Sequence, residues 1–293
     1  MVYKTFLTHT GVYYGSMRDG AAYGLLTEVN ELAAQGVHTG SAEIRIEIPV
    51  DMDKSRMQSI RNHIAKAMEK LETEDFQLEE LHITGEKCAA LRVPQIVITV
   101  AGETEQKERI ADALLTARAG QDIVYAGWAG LEGMLRIIGE KEAELRERFT
   151  PAFIGQMKAY DSELCGLSKI AVADAMGVSV IRQVSRGGIL ASLWDLAKDT
   201  ELGLNLDLKK IAVRQETIEV CEHFRLNPYQ LASGGSFLML AENGEALADA
   251  LNQKGIQAAV IGQLTDSNDK VIHNGEDMRY IDRPAPDELM KVF

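Results

Sequence analysis

Pairs of acidic side chains at helical spacing are the first candidates for ligand chemistry in this chain of 293 residues. Glu28 and Glu31 lie three residues apart in a predicted helix, so their carboxylates share one face and leave room for a metal ion. Carboxylate oxygens bind hard cations such as Mg²⁺, and these cations neutralise the phosphates of a nucleotide. A solvated acidic helix surface explains the same spacing, and the spacing alone favours that second interpretation.

A glycine-rich turn is the second candidate. The run Arg186-Gly187-Gly188 opens a predicted helix, whose N-terminal amides could hold an anion while the glycines permit close approach. A tight helix entry without a ligand explains these residues equally well. Two further turns, at 127–130 and 233–235, are predicted to serve the backbone. Trp128 in the first of them either stacks on a ligand or, as is more common, packs against its neighbours.

Several other chemistries have no support in the sequence. Cys88, Cys165 and Cys221 are far apart and form no CxxC motif, which argues against a zinc site or a disulfide framework and for a reducing compartment. We expect these cysteines to be buried small apolar residues. The sequence contains no Ser-His-Asp spacing, HExxH motif or Walker loop.

The composition is that of a globular protein with an acidic balance. Thirty-one basic and 44 acidic residues give a formal charge of −13. Such a charge repels phosphate backbones, so no nucleic-acid partner is expected. The N-terminus lacks a signal-peptide pattern, and the longest apolar run, residues 96–101, is too short to cross a bilayer. We therefore expect a cytoplasmic protein without membrane association.

The elements that position these residues follow from hydrophobic periodicity. Residues 43–48 alternate strictly, with Ile44, Ile46 and Ile48 on one face, which indicates a strand with one wet face and favours an antiparallel sheet. Further strands are predicted near 2–8, 81–84, 95–101, 122–126, 179–182, 237–241 and 258–262. Helices are predicted near 19–35, 57–71, 131–148, 164–175, 188–198, 215–224 and 245–254, and the stretch 103–118 is predicted to be charged at first and then helical around 110–115.

The mixture of strands and helices with a one-sided sheet favours two α+β domains over one doubly wound sheet. The stretch 102–121 is charged and rich in turn residues, as linkers between domains are. This stretch predicts domains of residues 1–105 and 106–293.

Four segments, in order, resemble the aminoimidazole ribonucleotide (AIR) synthetase-related superfamily, which includes the hydrogenase maturation protein HypE. Residues 19–36 are similar to the family's GDxGxxAVxxxVNDLAAMGA segment, and residues 117–124 to GAKPGDLIVVTG. Residues 186–197 resemble TRGGLAxxLxEIA, and residues 211–235 and 260–265 resemble IPVREEV…C…LGLDPL…ASEG and IGEVT. The resemblance covers nearly the whole chain and implies a two-domain α+β fold of the PurM/HypE type.

The resemblance also implies an ATP site between the domains, in which acidic side chains hold Mg²⁺ on the phosphates. The residues that it implies for binding the nucleotide or anion are Asp19, Asn30, Arg186, Gly187 and Gly188. Glu31 and Glu86 stand at the acidic positions of the VND and TGDT motifs, so they are the implied magnesium ligands.

The acidic positions depart from the family pattern. Glu31 and Glu86 replace aspartates, and His9 replaces the acid of the TTD motif, whereas Mg²⁺ tolerates little change in ligand reach. His9 is more simply explained as a satisfied histidine at a strand end. Family members also carry a glycine-rich segment before the first strand, and HypE ends in a cysteine. This sequence begins almost on the strand and ends in Phe293, so HypE's thiolate chemistry is not expected.

These departures favour a binding protein whose catalytic site has eroded. We expect an AIR synthase-related, HypE-like protein that holds a nucleotide or another anionic ligand between its domains, with ATP and Mg²⁺ as candidate cofactors. The alternative is an ATP- and magnesium-dependent enzyme that phosphorylates a carbonyl or carboxamide oxygen, so that a nitrogen nucleophile can displace it.

A homodimer is the expected assembly. In this superfamily the N-terminal sheets of two protomers close into a shared barrel. Two helices can cover only one face of a four-stranded sheet, so the other face would remain as an apolar patch that a two-fold partner covers. We expect Ile46 to contribute to that patch.

Overall fold

Two mixed β-sheets, each with helices packed on it, organise the chain. The computed structural model describes residues 4–15, 19–74, 76–105 and 112–292. They fall into two units, the first of residues up to 106 together with 135–167, and the second of residues 107–134 with 168–292. The α+β class predicted from the sequence is confirmed.

Strands and helices alternate along most of the described chain. The strands are β1 (Thr5–Tyr14), β2 (Thr39–Pro49), β3 (Gln77–Cys88), β4 (Gln95–Thr104), β5 (Asp122–Ala126), β6 (Val180–Val184), β7 (Gly203–Asp207), β8 (Ser236–Ala241), β9 (Ala258–Thr265), β10 (Lys270–Asn274) and β11 (Asp277–Tyr280). The helices are α1 (Gly20–Ala34), α2 (Lys54–Thr73), α3 (Asp112–Leu115), α4 (Leu131–Leu145), α5 (Pro151–Lys158), α6 (Leu167–Ala175), α7 (Gly188–Thr200), α8 (Gln215–Phe224) and α9 (Gly244–Gln253). Short 3-10 helices cover Ala159–Leu164, Leu208–Lys210, Pro228–Gln230 and Glu288–Lys291.

The sheet of the first unit has the strand order β1–β4–β2–β3. The alternation of β2 is as predicted: Ile44, Ile46 and Ile48 are fully buried, whereas Glu43 and Arg45 are exposed. Strand β2 pairs antiparallel with β4 but parallel with β3, so the antiparallel prediction holds for only one of its neighbours. The parallel pair is joined by α2, because a parallel connection needs a crossover segment.

The isoleucines of β2 lie on the helix-covered face of this sheet. Gly85 of β3 is registered with Ile46, and a Cβ at Gly85 would lie 2.3 Å from the sulfur of Met57 on α2. The prediction that Ile46 contributes to an exposed face is therefore wrong. On β1 and β4 the opposite face carries Val12 and Val97 among threonines, so that face is less apolar than expected.

The sheet of the second unit, within the described residues, has the strand order β11–β10–β7–β9–β5–β8–β6. Its main hydrophobic core lies between this sheet and α7. Fully buried residues from both layers meet there, among them Ile123, Leu193, Leu196 and Ile261. This packing holds the glycine-rich turn before α7 against the sheet.

The stretch between the two sheets is helical in its later part, as predicted. Strand β4 runs to Thr104, and the four-residue helix α3 lies where the helical part of 103–118 was expected. Residues 106–111 of that prediction lie outside the described residues. The strands on either side of this stretch belong to different sheets. Because residues 135–167 group with the first unit, the assignment of 1–105 and 106–293 as two contiguous domains stays a prediction.

Across the described residues, no helix is both long enough and apolar enough to cross a bilayer.

Candidate functional site

Asp19 lies immediately before α1 and connects this helix to α2. Its side chain makes no capping hydrogen bond to α1; instead its Oδ1 lies 3.1 Å from Nε2 of His63. Nδ1 of His63 lies 2.7 Å from the carbonyl oxygen of Ser59, one turn earlier in α2. The candidate ligand Asp19 is thus part of a contact between helices.

Two further ionisable groups share the surroundings of Asp19. Burial, together with the charge of Asp19, raises the pKa of Tyr23 well above its usual range. Burial also raises the pKa of the Asp161 carboxyl, with a smaller contribution from Asp19, while Lys70 acts in the opposite direction. Negative charge is therefore concentrated at the start of α1.

Glu28 lies in the interior of the first unit, on the face of α1 that packs on β1. Its side chain accepts a hydrogen bond from the hydroxyl of Tyr13 at 2.5 Å and contacts Nδ1 of His9. Only 2% of the residue is exposed, so the prediction of a solvated acidic surface is wrong for Glu28. His9 lies in the middle of β1 rather than at its end, and its ring is satisfied by this carboxylate.

Asn30, a predicted ligand, is fully buried and engaged with backbone groups. Its Nδ2 donates to the carbonyl oxygen of Leu164 at 2.8 Å, and its Oδ1 accepts from the amide of Gly166 at 2.8 Å. The side chain therefore fixes the loop between the 3-10 helix at 159–164 and α6. This use of the amide does not fit a ligand-binding role.

Glu31 and Glu86 do not come together within one chain. Glu31 is on α1, which packs on the same sheet face as α2. Glu86 is exposed and follows Gly85, which faces α2, so the Glu86 side chain lies on the opposite face of the sheet. The predicted magnesium pair is therefore not formed within a chain. Moreover, the described residues contain no group of three or more His, Cys, Asp or Glu side chains arranged to hold a metal ion.

The turn before α7 already holds an anionic oxygen. The amide of Gly187 donates to Oδ2 of Asp287 at 2.7 Å. Gly187 and Gly188 have φ values of 76° and 65°, a conformation that strains other residues. A Cβ at Gly188 would also lie 2.6 Å from the carbonyl oxygen of Tyr229. The tight helix entry is therefore present, with a carboxylate of the chain itself on the Gly187 amide, while binding of a ligand anion at this turn stays a prediction. Arg186 beside the turn is exposed.

Asp287 belongs to a C-terminal segment that packs on this turn. Its Oδ1 accepts from the amide of Leu289 at 2.8 Å and so caps the 3-10 helix at Glu288–Lys291. The buried Glu288 accepts from the amide of Asn227 at 3.3 Å. A cavity of about 240 Å³ lies beside the segment, lined by Gly187 and Asn227 among others. Sequence reasoning missed Asp287, although the Pro-Ala-Pro-Asp run at 284–287 is typical of a helix cap.

The loop Ser233-Gly234-Gly235 serves the backbone, as predicted. Oγ of Ser233 accepts from the amide of Gly130 at 2.7 Å. The amides of Gly234 and Gly235 donate to the buried side chains of Glu132 at 2.9 Å and Gln183 at 3.0 Å. Sequence patterns could not predict these two hydrogen-bond partners, because each is at least 50 residues away along the chain.

Trp128, Cys165 and Cys221 are packed as expected, whereas Cys88 is less buried than expected. The guanidinium of Arg214 lies 4.2 Å from the ring centroid of Trp128, a typical cation–π contact. Cys221 is buried, and burial together with the charge of Glu288 raises the pKa of its thiol to about 12. Cys165 is buried as well, while Cys88 is partly exposed.

The sheet topology and the glycine turn before α7 define a class of two-domain α+β proteins, and comparison with known proteins identifies that class. The family described as "AIR synthase related protein, C-terminal domain" matches residues 118–274. This match covers more than half of the chain. The protein therefore belongs to the AIR synthase-related family, and the PurM/HypE-like superfamily suggested by the sequence motifs is confirmed.

Curated relatives come from hydrogenase maturation. The putative hydrogenase expression/formation protein of Methanocaldococcus jannaschii is 22% identical over 271 residues, which cover 90% of this chain and 76% of the relative. The carbamoyl dehydratase HypE of Azotobacter vinelandii is 28% identical over 152 residues, which cover 50% of this chain and 42% of that protein. The chain is thus aligned with less than half of the length of this second relative.

Solved structures share the fold. The crystal structure of E. coli HypE, a hydrogenase maturation protein, matches with a TM-score of 0.76 at 18% identity and covers 99% of this chain and 88% of its own. HypE in complex with ATP matches with a TM-score of 0.71 at 15% identity, and the match covers 99% of this chain and 87% of that HypE chain. T. maritima PurL complexed with ATP matches with a TM-score of 0.67 at 14% identity, and the match covers 99% of this chain and 44% of the PurL chain.

Proposed function

We propose that this protein is a HypE-like binding protein for a nucleotide or another anionic ligand, without metal-dependent chemistry. The observation that carries the proposal is the 2.7 Å hydrogen bond from the Gly187 amide to the carboxylate of Asp287. An anionic oxygen in this place is stabilised by the amide and by the positive end of the helix dipole. A phosphate oxygen presents the same chemistry, so we infer that a ligand phosphate binds there in competition with Asp287.

The nucleotide is proposed as the ligand because proteins of the same fold bind one. HypE and PurL have each been crystallised with ATP. Arg186 is exposed beside the turn, and its guanidinium would add charge-assisted hydrogen bonds to a phosphate. Asp19 and Asn30 are engaged within the first unit, so the proposal rests on Arg186, Gly187 and Gly188 among the implied ligand residues.

A resident magnesium ion is not part of the proposal. Glu31 and Glu86 lie on opposite faces of one sheet, and Mg²⁺ requires near-ideal geometry from its ligands. Binding without an assembled metal site fits a protein that keeps a ligand and has lost the phosphoryl-transfer step.

One feature of the first unit favours the alternative, an ATP- and magnesium-dependent enzyme. A buried carboxylate is costly unless it is hydrogen-bonded, and Glu28 is held by Tyr13 and His9 at the strand where the family carries an acid. An acidic group held in the interior beside this strand fits the alternative function. Turnover of ATP would decide between the two functions.

Calorimetric titration with ATP, with and without Mg²⁺, tests the proposal. We expect weak binding, with a dissociation constant on the order of 1 mM, equivalent to about 4 kcal/mol, and no release of phosphate. Arg186→Gln should weaken binding further, whereas Arg92→Gln, at an exposed position of a turn in the first unit, should leave it unchanged. Tight magnesium-dependent binding with turnover that Glu31→Ala abolishes would instead establish the enzyme.

A further inference from the structure

A cationic groove on the second unit lies outside the residues of the proposed nucleotide site. Its volume is about 630 Å³, which falls within the roughly 300–1,000 Å³ of pockets that hold small organic ligands. Lys198, Lys270 and Arg283 line it, and Glu201 is the one acidic residue among its described lining residues. The groove thus has a local excess of positive charge.

This excess is unusual for a protein with a formal charge of −13. Among the described residues, neither Lys198 nor Arg283 has an acidic side chain within ion-pair distance. Asp269 and Asp282 are sequence neighbours of two of the cations, but they are absent from the groove lining. Like charges that share a groove repel one another, and a bound anion would remove this repulsion.

The lining of the groove also includes apolar side chains and an indole ring. Trp194 is half-buried, and Nζ of Lys270 lies 4.8 Å from its ring centroid. Ala197 and Leu202 add apolar surface. A planar or apolar group can pack on these side chains while its charged group contacts the cations of the groove.

The three cations come from separate elements of the fold. Lys198 lies in the last turn of α7, Lys270 is the first residue of β10, and Arg283 follows β11. Helix α7 and strand β10 both contribute to the main core of the second unit. The groove is therefore held open by packed elements rather than by a loop alone, and a ligand would find it preformed.

We propose that this groove binds a small organic anion, with an apolar, planar body on Trp194 and a phosphate or carboxylate group among Lys198, Lys270 and Arg283. The body accounts for the indole in the lining, and the anionic group accounts for the three cations that share the groove. This site is independent of the proposed nucleotide site, since none of its lining residues belongs to the Arg186–Gly188 turn.

Tryptophan fluorescence provides a local test. The chain contains two tryptophans, so Trp128→Phe leaves Trp194 as the single reporter. This variant would be titrated with phenyl phosphate and with benzoate, which separate the phosphate and carboxylate sources. Inorganic phosphate, which lacks the planar body, and phenol, which lacks the charge, are the controls.

We expect a saturable change of Trp194 fluorescence with at least one aromatic anion and much weaker responses to phosphate and phenol. Lys270→Gln and Arg283→Gln should each weaken binding about tenfold, the loss of one charge-assisted contact. Lys254→Gln, at an exposed position after α9, is the matched control and should have no effect. The proposal is overturned by no saturable change with either aromatic anion, by equal binding of phenol, or by binding that both groove variants retain.

Discussion

Three buried polar side chains of this protein hold backbone groups of irregular segments. Asn30 binds the loop at 164–166, and Glu132 and Gln183 bind the glycines at 234–235. A buried backbone group without a partner costs roughly 1–3 kcal/mol. These side chains therefore stabilise loops that make few regular hydrogen bonds of their own.

Asn30→Ala should destabilise the protein by about 2–4 kcal/mol, because it removes two buried hydrogen bonds and leaves both backbone partners unsatisfied. Denaturation by urea would measure the loss. Asn62→Ala, on the exposed surface of α2, is the control and should cost well under about 1 kcal/mol. Equal stability of the two variants would show that the Asn30 contacts do not hold the loop.

Residue chemistry was predictable only where the partner is local in sequence. The Arg186-Gly187-Gly188 run was compatible with a tight helix entry or with an anion site, and the tight entry is present. The carboxylate on the Gly187 amide is that of Asp287, 100 residues away along the chain, and a ligand anion at this turn stays a prediction. Likewise, the spacing of Glu28 and Glu31 suggested a solvated helix surface. That prediction failed for Glu28 because the helix pattern does not show that β1 packs on this side chain.

At the scale of elements, a small charged cluster joins the end of α4 to α5. The carboxylate of Glu142 accepts hydrogen bonds from Lys158 and Arg146, each at 2.6 Å. These contacts hold the pKa of Glu142 below its usual value. Because the folded-state pKa is depressed, the stabilisation is present above the unfolded-state pKa and is lost as the pH falls through the folded-state value.

Glu142→Gln should therefore lower stability at neutral pH and have progressively less effect as the pH falls below about 4. The loss should be well under about 1 kcal/mol, since the pair is partly exposed. Parallel thermal unfolding of both proteins from neutral to acidic pH is the measurement. A difference that stays constant across this range would rule out an ionic role of Glu142 and indicate loss of packing alone.

Elements with strong periodicity were predicted well, and three short polar strands were not. Helix α8 and strand β5 have the predicted bounds, and α1 matches closely. Strands β7, β10 and β11 had no predicted counterpart, because each has at most five residues with polar side chains among them, and β11 is exposed along its whole length. The parallel pairing of β2 with β3 also escaped prediction, because an alternating strand pairs equally well in either direction.

At the scale of the molecule, we propose a two-fold dimer in which the open faces of the first-unit sheets meet. The apolar part of this face is formed by β1 and β4, where Val12 and Val97 are half-buried and Phe6 is 66% exposed. Exposed apolar side chains of this kind commonly mark an interface. Ile46 was expected on this face, but it is buried under the helices and does not contribute to the face.

Light scattering behind a sizing column at micromolar protein tests the dimer. We expect twice the chain mass of 32.2 kDa, and Val97→Asp should reduce it to one chain by placing a charge in the interface. Val93→Asp, at an exposed position before β4, is the control and should remain dimeric. A wild-type mass of one chain, stable on dilution, would refute this assembly.

The central claim is that the turn before α7 is an anion site that Asp287 occupies until a ligand phosphate replaces it. Asp287→Asn removes the competing charge while keeping an oxygen to cap the 3-10 helix. The most direct test is calorimetric titration of wild type, Asp287→Asn and the exposed control Asp277→Asn with ATP. We predict roughly fivefold tighter binding to Asp287→Asn, about 1 kcal/mol, and no change for Asp277→Asn. Equal or weaker affinity of Asp287→Asn would contradict the account.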